Sequence, residues 1–237
     1  MEKIAIVMPT LNPLPSLIDY VDNLTNLGIE RIIIINDGSD EKYKPIFDKL
    51  RNNNQCVIID HPKNKGKGSA LKTGFLYTLK NLSNVRFVLT VGAHGQHKIS
   101  DVAQIVNHAK LFSDGIILGV RNFNSEEVPF TSSIGNRAAS ILFNLLFHKR
   151  LLDTQTGLRC IPRKDLAWLL KVPGESFSYD TNMLVEAIKR KVPIYEIPIG
   201  HMKIKKNTIM FYDEVLNTHK LFKQMITTYT KSKKHHD

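Results

Sequence analysis

Five short apolar runs, separated by segments of helical periodicity, constrain the fold of this chain more than any other feature. Each run is rich in Val, Ile or Leu, which is typical of strands buried on both faces. Strands that alternate with helices in this way predict a parallel sheet covered by helices. The predicted strands are Ile4–Met8, Arg31–Ile35, Cys56–Ile59, Phe87–Val91 and Ile116–Leu118, and the intervening helices are Leu14–Leu27, Glu41–Arg51, Gly68–Leu82 and Asp101–Leu111.

The regular alternation stops after Arg121. A loop is predicted over 122–130, followed by a helix that is capped by Thr131 or Ser132 and ends near Lys149. Its wide apolar face favours core burial, with contact to a membrane surface as the alternative. Two prolines in the strand Val192–Ile199 favour the edge of the sheet. The other predicted helices are Asp165–Leu170, Thr181–Lys189 and Thr208–Tyr229. We expect one domain over 1–211, then an amphipathic helix and a basic tail over 212–237.

Composition limits the possible cellular locations and binding partners of the protein. A chain of 237 residues that is 42% hydrophobic can bury one full core. The net charge of +11 predicts attraction to anions: nucleotide phosphates, an acidic membrane surface or nucleic acid. Nucleic acid is disfavoured because no basic strand face carries interleaved aromatic residues. Two cysteines, no signal-peptide pattern and no apolar run of membrane-spanning length predict a cytoplasmic protein, peripheral on the inner membrane face if it meets a membrane.

The turns after the predicted strands carry the candidate ligand site. Carboxyl ends of parallel strands share one edge of the sheet, and ligands bind at that edge. The turns are Pro9-Thr10-Leu11-Asn12, Asn36-Asp37-Gly38-Ser39, Asp60-His61-Pro62, the segment Thr90 to His97, and Gly119-Val120-Arg121.

Two of these turns and one helix start have the chemistry of a nucleotide site. An ionised carboxylate at Asp37 can accept from base and ribose donors, although a plain β-turn with Asp40 as a helix cap is also compatible. Glycines with Lys65 and Lys67 at a helix start predict a diphosphate site, because free amides and cations attract anions there. The segment of Pro9, Thr10 and Asn12 is equally compatible with an ordinary proline turn.

In their order along the chain, these segments resemble family 2 glycosyltransferases, particularly dolichyl-phosphate mannosyltransferases and related polyprenyl-phosphate sugar transferases. The matching pieces are Val7–Asn12, Asn36–Asp40, Asn64–Ala70, Gly95-Gln96-His97 and Asp153–Arg159, within a resemblance that runs from Ile4 to Phe211. The resemblance implies a single-domain α/β fold of the GT-A, Rossmann-like type. It also implies inverting transfer from a nucleotide-diphosphate sugar to polyprenyl phosphate or a cell-surface glycan precursor.

The resemblance also assigns roles to individual residues. It implies that Asp153 and Arg159 are catalytic. The residues that it implies for nucleotide binding are Pro9, Thr10, Asn12, Asp37, Lys65, Lys67 and Ala93.

The chain departs from the family at its Asp-x-Asp pair, where Gly92 and His94 replace both acids. Oxygen-ligated Mg²⁺ or Mn²⁺ is the usual way to neutralise a leaving diphosphate. Gly92 offers no ligand, and His94 offers one nitrogen. Three alternatives follow. His94, His97 and Asp153 rebuild a metal site; cations among Lys65, Lys67, Arg121 and Arg159 replace the metal; or the protein binds a nucleotide sugar or a partner enzyme without turnover.

The segment from Asp153 to Arg159 carries two alternatives for the acceptor. A hydroxyl acceptor would require Asp153 as a general base. A lipid phosphate is already anionic and needs no base, so Arg159 would orient it. A purely structural Asp–Arg pair is also compatible. Asp180 stands where the family has Glu before a helix, and it could equally be an N-cap.

Overall fold

A seven-stranded sheet lies at the centre of the molecule, in the order β3-β2-β1-β4-β6-β5-β7. A computed structural model describes residues 3–95, 97–121, 130–176 and 178–200, together with helical positions 223, 225–227, 229 and 230; for 130–135 only the backbone is described. The strands are β1 Ile4–Thr10, β2 Arg31–Asn36, β3 Cys56–Asp60, β4 Phe87–Thr90, β5 Ile116–Arg121, β6 Arg159–Pro162 and β7 Ile194–Ile199. Only β6 pairs antiparallel, with β4 on one side and β5 on the other.

The five predicted parallel strands are confirmed, each within three residues of the expected bounds. The edge position of the proline-containing strand is confirmed as well, because β7 pairs with β5 at one end of the sheet. Strand β6 was not predicted. It has only four residues, begins with an arginine and ends with a proline, and so carries no apolar run.

Seven helices flank the sheet in the part of the chain that the structure describes before residue 200. They are α1 Leu17–Thr25, α2 Lys44–Arg51, α3 Lys67–Asn81, α4 Ile99–Ala109, α5 Phe130–Phe147, α6 Leu166–Leu169 and α7 Ser178–Lys189, with 3₁₀ turns at Glu41–Tyr43 and Arg163–Asp165. Helix α5 begins at Phe130, before the predicted caps Thr131 and Ser132. The predicted loop over 122–130, apart from Phe130, lies outside the described residues, as does most of the predicted helix Thr208–Tyr229 with the tail.

The core has two layers, one on each face of the sheet. In β2, Ile33 and Ile35 pack into one layer, and Ile32 and Ile34 pack into the other. Helix α3 approaches the sheet closely, because a Cβ at Gly74 would lie only 2.4 Å from Val7 Cγ1. This close contact packs the middle of α3 against β1 and β2.

The apolar face of helix α5 is only partly buried, so the predicted core burial holds for part of it. Ala139 and Phe143 are buried, but Ile141 and Leu145 are 61% and 66% exposed. The apolar residues extend around the helix farther than the core can cover, so one pair remains at the surface. Among the described residues, no helix is long and apolar enough to span a membrane.

Candidate active site at the carboxyl edge of the sheet

The carboxylate of Asp37 is buried and accepts three hydrogen bonds from the protein. His61 Nδ1 donates to Asp37 Oδ1 at 2.7 Å, and His61 Nε2 lies 2.9 Å from Thr73 Oγ1. The backbone amides of Lys65 and Gly66 donate to Oδ1 and Oδ2 at 3.0 and 2.8 Å. Asp37 therefore fixes the loop between β3 and α3, and its oxygens face the protein's own donors.

The turn after β1 is tied to the turn after β2. The amide of Asn12 donates to Ser39 Oγ at 2.9 Å, and Asn12 Oδ1 accepts from the Asp40 amide at 3.0 Å. Asn12 adopts a left-handed conformation with φ 48°, which asparagine tolerates better than most residues. Thr10 is buried, Pro9 is partly buried, and the Asp40 side chain makes no capping bond to the helical turn after it. These contacts hold two of the predicted nucleotide-binding turns side by side.

Several amides at the start of α3 are already bonded within the protein. The Ser69 amide donates to the Glu175 carbonyl at 3.0 Å. A Cβ at Gly66 would lie 2.4 Å from that same carbonyl, and Gly66 has φ 91°, so only glycine fits there. The predicted diphosphate site therefore has fewer available amides than the helix start alone suggests.

Lys67, the first residue of α3, points to the start of α7. Its Nζ lies 2.5 Å from Asp180 Oδ2. Asp180 is 4% exposed and is the third residue of α7, which begins at Ser178. Asp180 is therefore inside the first helical turn rather than at the N-cap, and its carboxylate binds a cation 113 residues away in sequence.

Asp153 is completely buried and is held by Arg121 from the end of β5. Arg121 Nε and Nη2 donate to Asp153 Oδ2 and Oδ1 at 2.7 and 3.0 Å. The Gln155 amide also donates to Oδ1, at 3.1 Å. Behind this loop, Glu196 Oε1 accepts from the Leu152 amide at 2.7 Å, and burial raises the pKa of Glu196. Asp153 and Arg121 thus form a bidentate ion pair.

Arg159 is 1% exposed and donates mainly to backbone carbonyls. Its Nε donates to Thr156 O at 2.9 Å, Nη2 to Thr154 O at 3.1 Å, and Nη1 to Asp180 O at 2.7 Å. Its guanidinium also lies 4.0 Å from the Asp180 carboxylate. The geometry is that of a positioning residue, which fixes the loop before β6 against the start of α7.

His97 is 5% exposed, and neither of its ring nitrogens has a hydrogen-bond partner among the described residues. Burial, aided by the positive charges of Arg121 and Lys67 and opposed by Asp153, lowers the pKa of His97 to about 3. A Cβ at Gly157 would lie 3.7 Å from His97 Nε2 and 3.6 Å from Lys67 Nζ. A neutral imidazole with unused donor and acceptor positions therefore faces the same point as a lysine. Each unsatisfied buried group costs about 1–3 kcal/mol.

The turn between β4 and α4 holds the residues that replace the family's two acids. Ala93 is buried, His94 is partly buried with its Nδ1 lacking a partner among the described residues, and Gln96 lies outside them. Burial lowers the pKa of His94. Gly92 is not among the residues with positive φ, so its backbone would accept a side chain.

These residues do not fit an oxygen-ligated divalent cation. In the part of the chain that the structure describes, no group of three or more His, Cys, Asp or Glu side chains is placed to hold a metal. His94 and His97 offer nitrogen, whereas Mg²⁺ requires oxygen ligands. The nearby carboxylates of Asp153 and Asp180 are each bound by a cationic side chain. The predicted metal site of His94, His97 and Asp153 is therefore not formed as a cluster among the described residues.

Six ionisable side chains converge, and we call them the charged cluster. Its members are Lys67, His97, Arg121, Asp153, Arg159 and Asp180. Lys65 belongs to the loop that leads into α3, and Asp37, directly after β2, holds that loop. Pro9 and Thr10, predicted in a turn, are the last two residues of β1, and Asn12 lies in the turn after it. Sequence reasoning missed His61 as a partner of Asp37. The parallel register, in which Asn36 lies opposite Asp60, would have indicated it, because the next residues along are Asp37 and His61.

Known structures with the same fold indicate the class of protein to which this chain belongs. The chain superposes on glucosyl-3-phosphoglycerate synthase from Mycobacterium tuberculosis, solved with Mn²⁺, UDP and phosphoglyceric acid, with a TM-score of 0.71. The match covers 96% of this chain and 78% of that chain at 14% identity, so it shows a GT-A glycosyltransferase fold. The chain belongs to glycosyl transferase family 2, whose profile matches residues 5–167. It is a glycosyltransferase, as its sequence predicts.

Two relatives are similar over most of the chain. One is the UDP-N-acetylglucosamine–dolichyl-phosphate N-acetylglucosaminyltransferase of Methanococcus voltae, 29% identical over 213 residues, which are 83% of this chain and 84% of that protein. The other is the dolichyl-phosphate beta-glucosyltransferase of Saccharomyces cerevisiae, 28% identical over 194 residues. That match covers 71% of this chain and 56% of the yeast protein.

Proposed function

We propose that this glycosyltransferase moves a sugar from a UDP-sugar to a polyprenyl phosphate. The relative in Methanococcus voltae is named for a UDP-sugar donor and a dolichyl-phosphate acceptor, and the yeast relative is named for the same kind of acceptor. The fold is shared with an enzyme solved with UDP. The second hypothesis, a silent relative without turnover, is not favoured, because these relatives are named as transferases.

The observation that carries the choice of acceptor is the occupied carboxylate of Asp153. Both of its oxygens accept from Arg121, and the residue is completely buried. A general base must reach the proton that it removes, and this carboxylate is engaged elsewhere. A phosphate acceptor needs no base because its oxygen is already anionic, so the site suits a lipid phosphate better than a sugar hydroxyl.

Charge supports the same conclusion. The charged cluster contains three cations against two carboxylates, and His97 is neutral, so it carries an excess of one positive charge. Its carboxylates are interior, whereas the side chains of Lys67 and Arg121 are 26% and 30% exposed. An approaching anion therefore meets the cationic ends first.

The proposed reaction is an in-line displacement. An oxygen of the lipid phosphate attacks the anomeric carbon of the sugar, the bond from that carbon to the diphosphate breaks, and UDP leaves with the bonding electrons. One attack of this kind inverts the anomeric configuration. Lys67 and Arg121 stabilise the charge on the phosphate groups. Asp37 holds the loop that leads to Lys67, and Arg159 holds the loop that contains Asp153, the partner of Arg121.

Transfer of radiolabelled sugar from UDP-N-acetylglucosamine and UDP-glucose tests this function. We expect label in the lipid fraction with dolichyl phosphate and none with dolichol, which has the same chain but presents a hydroxyl. Transfer to dolichol would contradict the proposed acceptor. UDP binding without transfer to either lipid, at all metal concentrations, would support the silent alternative.

We also propose that the enzyme lies at the inner, cytoplasmic face of the membrane through helix α5. Ile141 and Leu145 are one helical turn apart and exposed, and the exposed Lys149 and Arg150 follow the helix. Apolar side chains beside basic ones are typical of helices that bind anionic interfaces.

The double change Ile141→Ser and Leu145→Ser should weaken binding to vesicles of phosphatidylglycerol and phosphatidylcholine by at least about tenfold, because each side chain contributes roughly 1 kcal/mol or more when buried. Vesicle flotation at low salt measures the bound fraction. Leu111→Ser is the matched control, since Leu111 is 75% exposed at the end of α4. An equal loss of vesicle binding in the double variant and in Leu111→Ser, or no vesicle binding by the unmodified protein, would contradict the proposed membrane-binding surface on α5.

A further inference from the structure

We infer that His97 donates a hydrogen bond directly to a substrate phosphate, in an anion site formed with Lys67 and Arg121 that requires no divalent cation. This inference rests on the proposed function and adds to it a binding residue and a metal requirement. The phosphate belongs either to the nucleotide diphosphate or to the lipid acceptor, because both present the same oxygens to the site.

The first support is the unpartnered imidazole. His97 is 5% exposed, and both of its ring nitrogens lack partners in the described part of the chain. A buried polar group without a partner is uncommon in a native protein, and it points to a ligand or water that completes the bonding. A neutral imidazole always carries one N–H donor, and a phosphate oxygen is a strong acceptor for it.

The second support is the position of the imidazole. His97 Nε2 and Lys67 Nζ lie within 4 Å of one point, where a Cβ on Gly157 would be. Both distances are ordinary van der Waals contacts, and Gly157 has no positive φ, so an added atom would fit at this point without backbone strain. A single oxygen beside Gly157 could therefore be near both nitrogens.

The third support concerns charge neutralisation. Gly92 provides no ligand, and the described residues form no cluster of three metal ligands. Lys67 and Arg121 supply fixed positive charges whose partner carboxylates lie on their interior side. Cationic side chains can stabilise a transferring phosphoryl group. Here Lys67 Nζ lies near the same point as the unpartnered imidazole, and Arg121 is close enough to act on it electrostatically.

Isothermal titration with UDP provides the first test. In EDTA, the unmodified protein should bind UDP, and added Mn²⁺ or Mg²⁺ should change the dissociation constant by less than about threefold, a free-energy difference of under about 0.7 kcal/mol. UDP binding that appears only with a metal would overturn the inference while leaving the proposed function intact. Absence of UDP binding under every condition would instead contradict the proposed donor.

Three variants locate the contact. Gly157→Ala places a methyl group within 4 Å of both nitrogens, and His97→Phe removes the donor; each should weaken phosphate binding about tenfold. His97→Gln retains an N–H donor and should restore most of the affinity. His108→Phe, a change on α4 outside the cluster, should leave binding unchanged. Circular dichroism melting establishes that each variant is folded.

Two ligands separate the possible sources of the phosphate. If the variants lose affinity only for UDP, His97 contacts the donor diphosphate. If they lose affinity only for farnesyl phosphate, His97 contacts the acceptor. Either result supports the inference. Unchanged affinity of folded His97→Phe and Gly157→Ala for both ligands would overturn it.

Discussion

Replacing Asp37 with alanine should lower the free energy of unfolding by about 4 kcal/mol, because removing one partner of a buried charged network costs roughly 3–5 kcal/mol. The change leaves His61 Nδ1 and the amides of Lys65 and Gly66 without their acceptor. Water can reach the exposed Lys65 more readily than the buried His61, so we expect His61 to account for much of the loss. Urea denaturation at pH 7 measures the change in midpoint.

Asp40→Ala is the matched control for that experiment. Asp40 belongs to the same turn but is exposed, and its carboxylate accepts only a long bond of 3.4 Å from Asn12. Removing the Asp40 carboxylate should lower the free energy of unfolding by less than about 1 kcal/mol, as is usual for surface substitutions. Comparable losses in the two variants would mean that Asp37 is not the structural centre of this loop.

Acid should destabilise the unmodified protein more than the His97→Gln variant. The pKa of His97 is about 3 in the folded protein, against an ordinary value of 6.5. Between these values the unfolded chain binds a proton that the folded protein does not, so the stability contributed by neutral His97 is present above pH 6.5 and is lost as the pH falls. The expected loss is roughly 1.4 kcal/mol per pH unit well below pH 6.5, or about 2 kcal/mol between pH 7 and pH 5.

The measurement is urea unfolding of both proteins at pH 7, 6 and 5. Other titrating groups are common to the two proteins, so their contributions largely cancel in the difference. His108→Gln should keep the pH dependence of the unmodified protein. Parallel stability curves for His97→Gln and the unmodified protein would show that His97 is not held neutral by its surroundings.

Hydrophobic periodicity predicted the parallel part of the sheet because buried strands such as Ile4–Thr10 and Arg31–Asn36 consist mainly of residues that only a core accommodates. It also predicted the edge at which the candidate site lies, because each parallel strand ends at one edge of the sheet. Strand β6 could not be predicted in the same way. Its four residues carry no periodic signal, and its place between β4 and β5 depends on contacts distant in sequence.

Individual side chains were harder to predict than turns. The pattern indicated that Lys67 matters, but it could not show that Asp180 is its partner across the molecule. Arg159 was expected to meet a phosphate, whereas the structure places its guanidinium among backbone carbonyls. Burial and pairing of this kind arise from tertiary packing. Sequence identifies which residues can do the chemistry, and the fold decides which of them reach the substrate.

The reversed direction of β6 has a consequence for how this enzyme can diversify. The parallel strands end at the edge that carries the candidate site, whereas the antiparallel β6 begins there, so Asp153 and Gly157 lie at this edge by preceding a strand. Lengthening or shortening the chain between α5 and β6 would thus remodel this part of the edge. The turns after β1 and β2 are fixed by separate contacts and would keep their geometry.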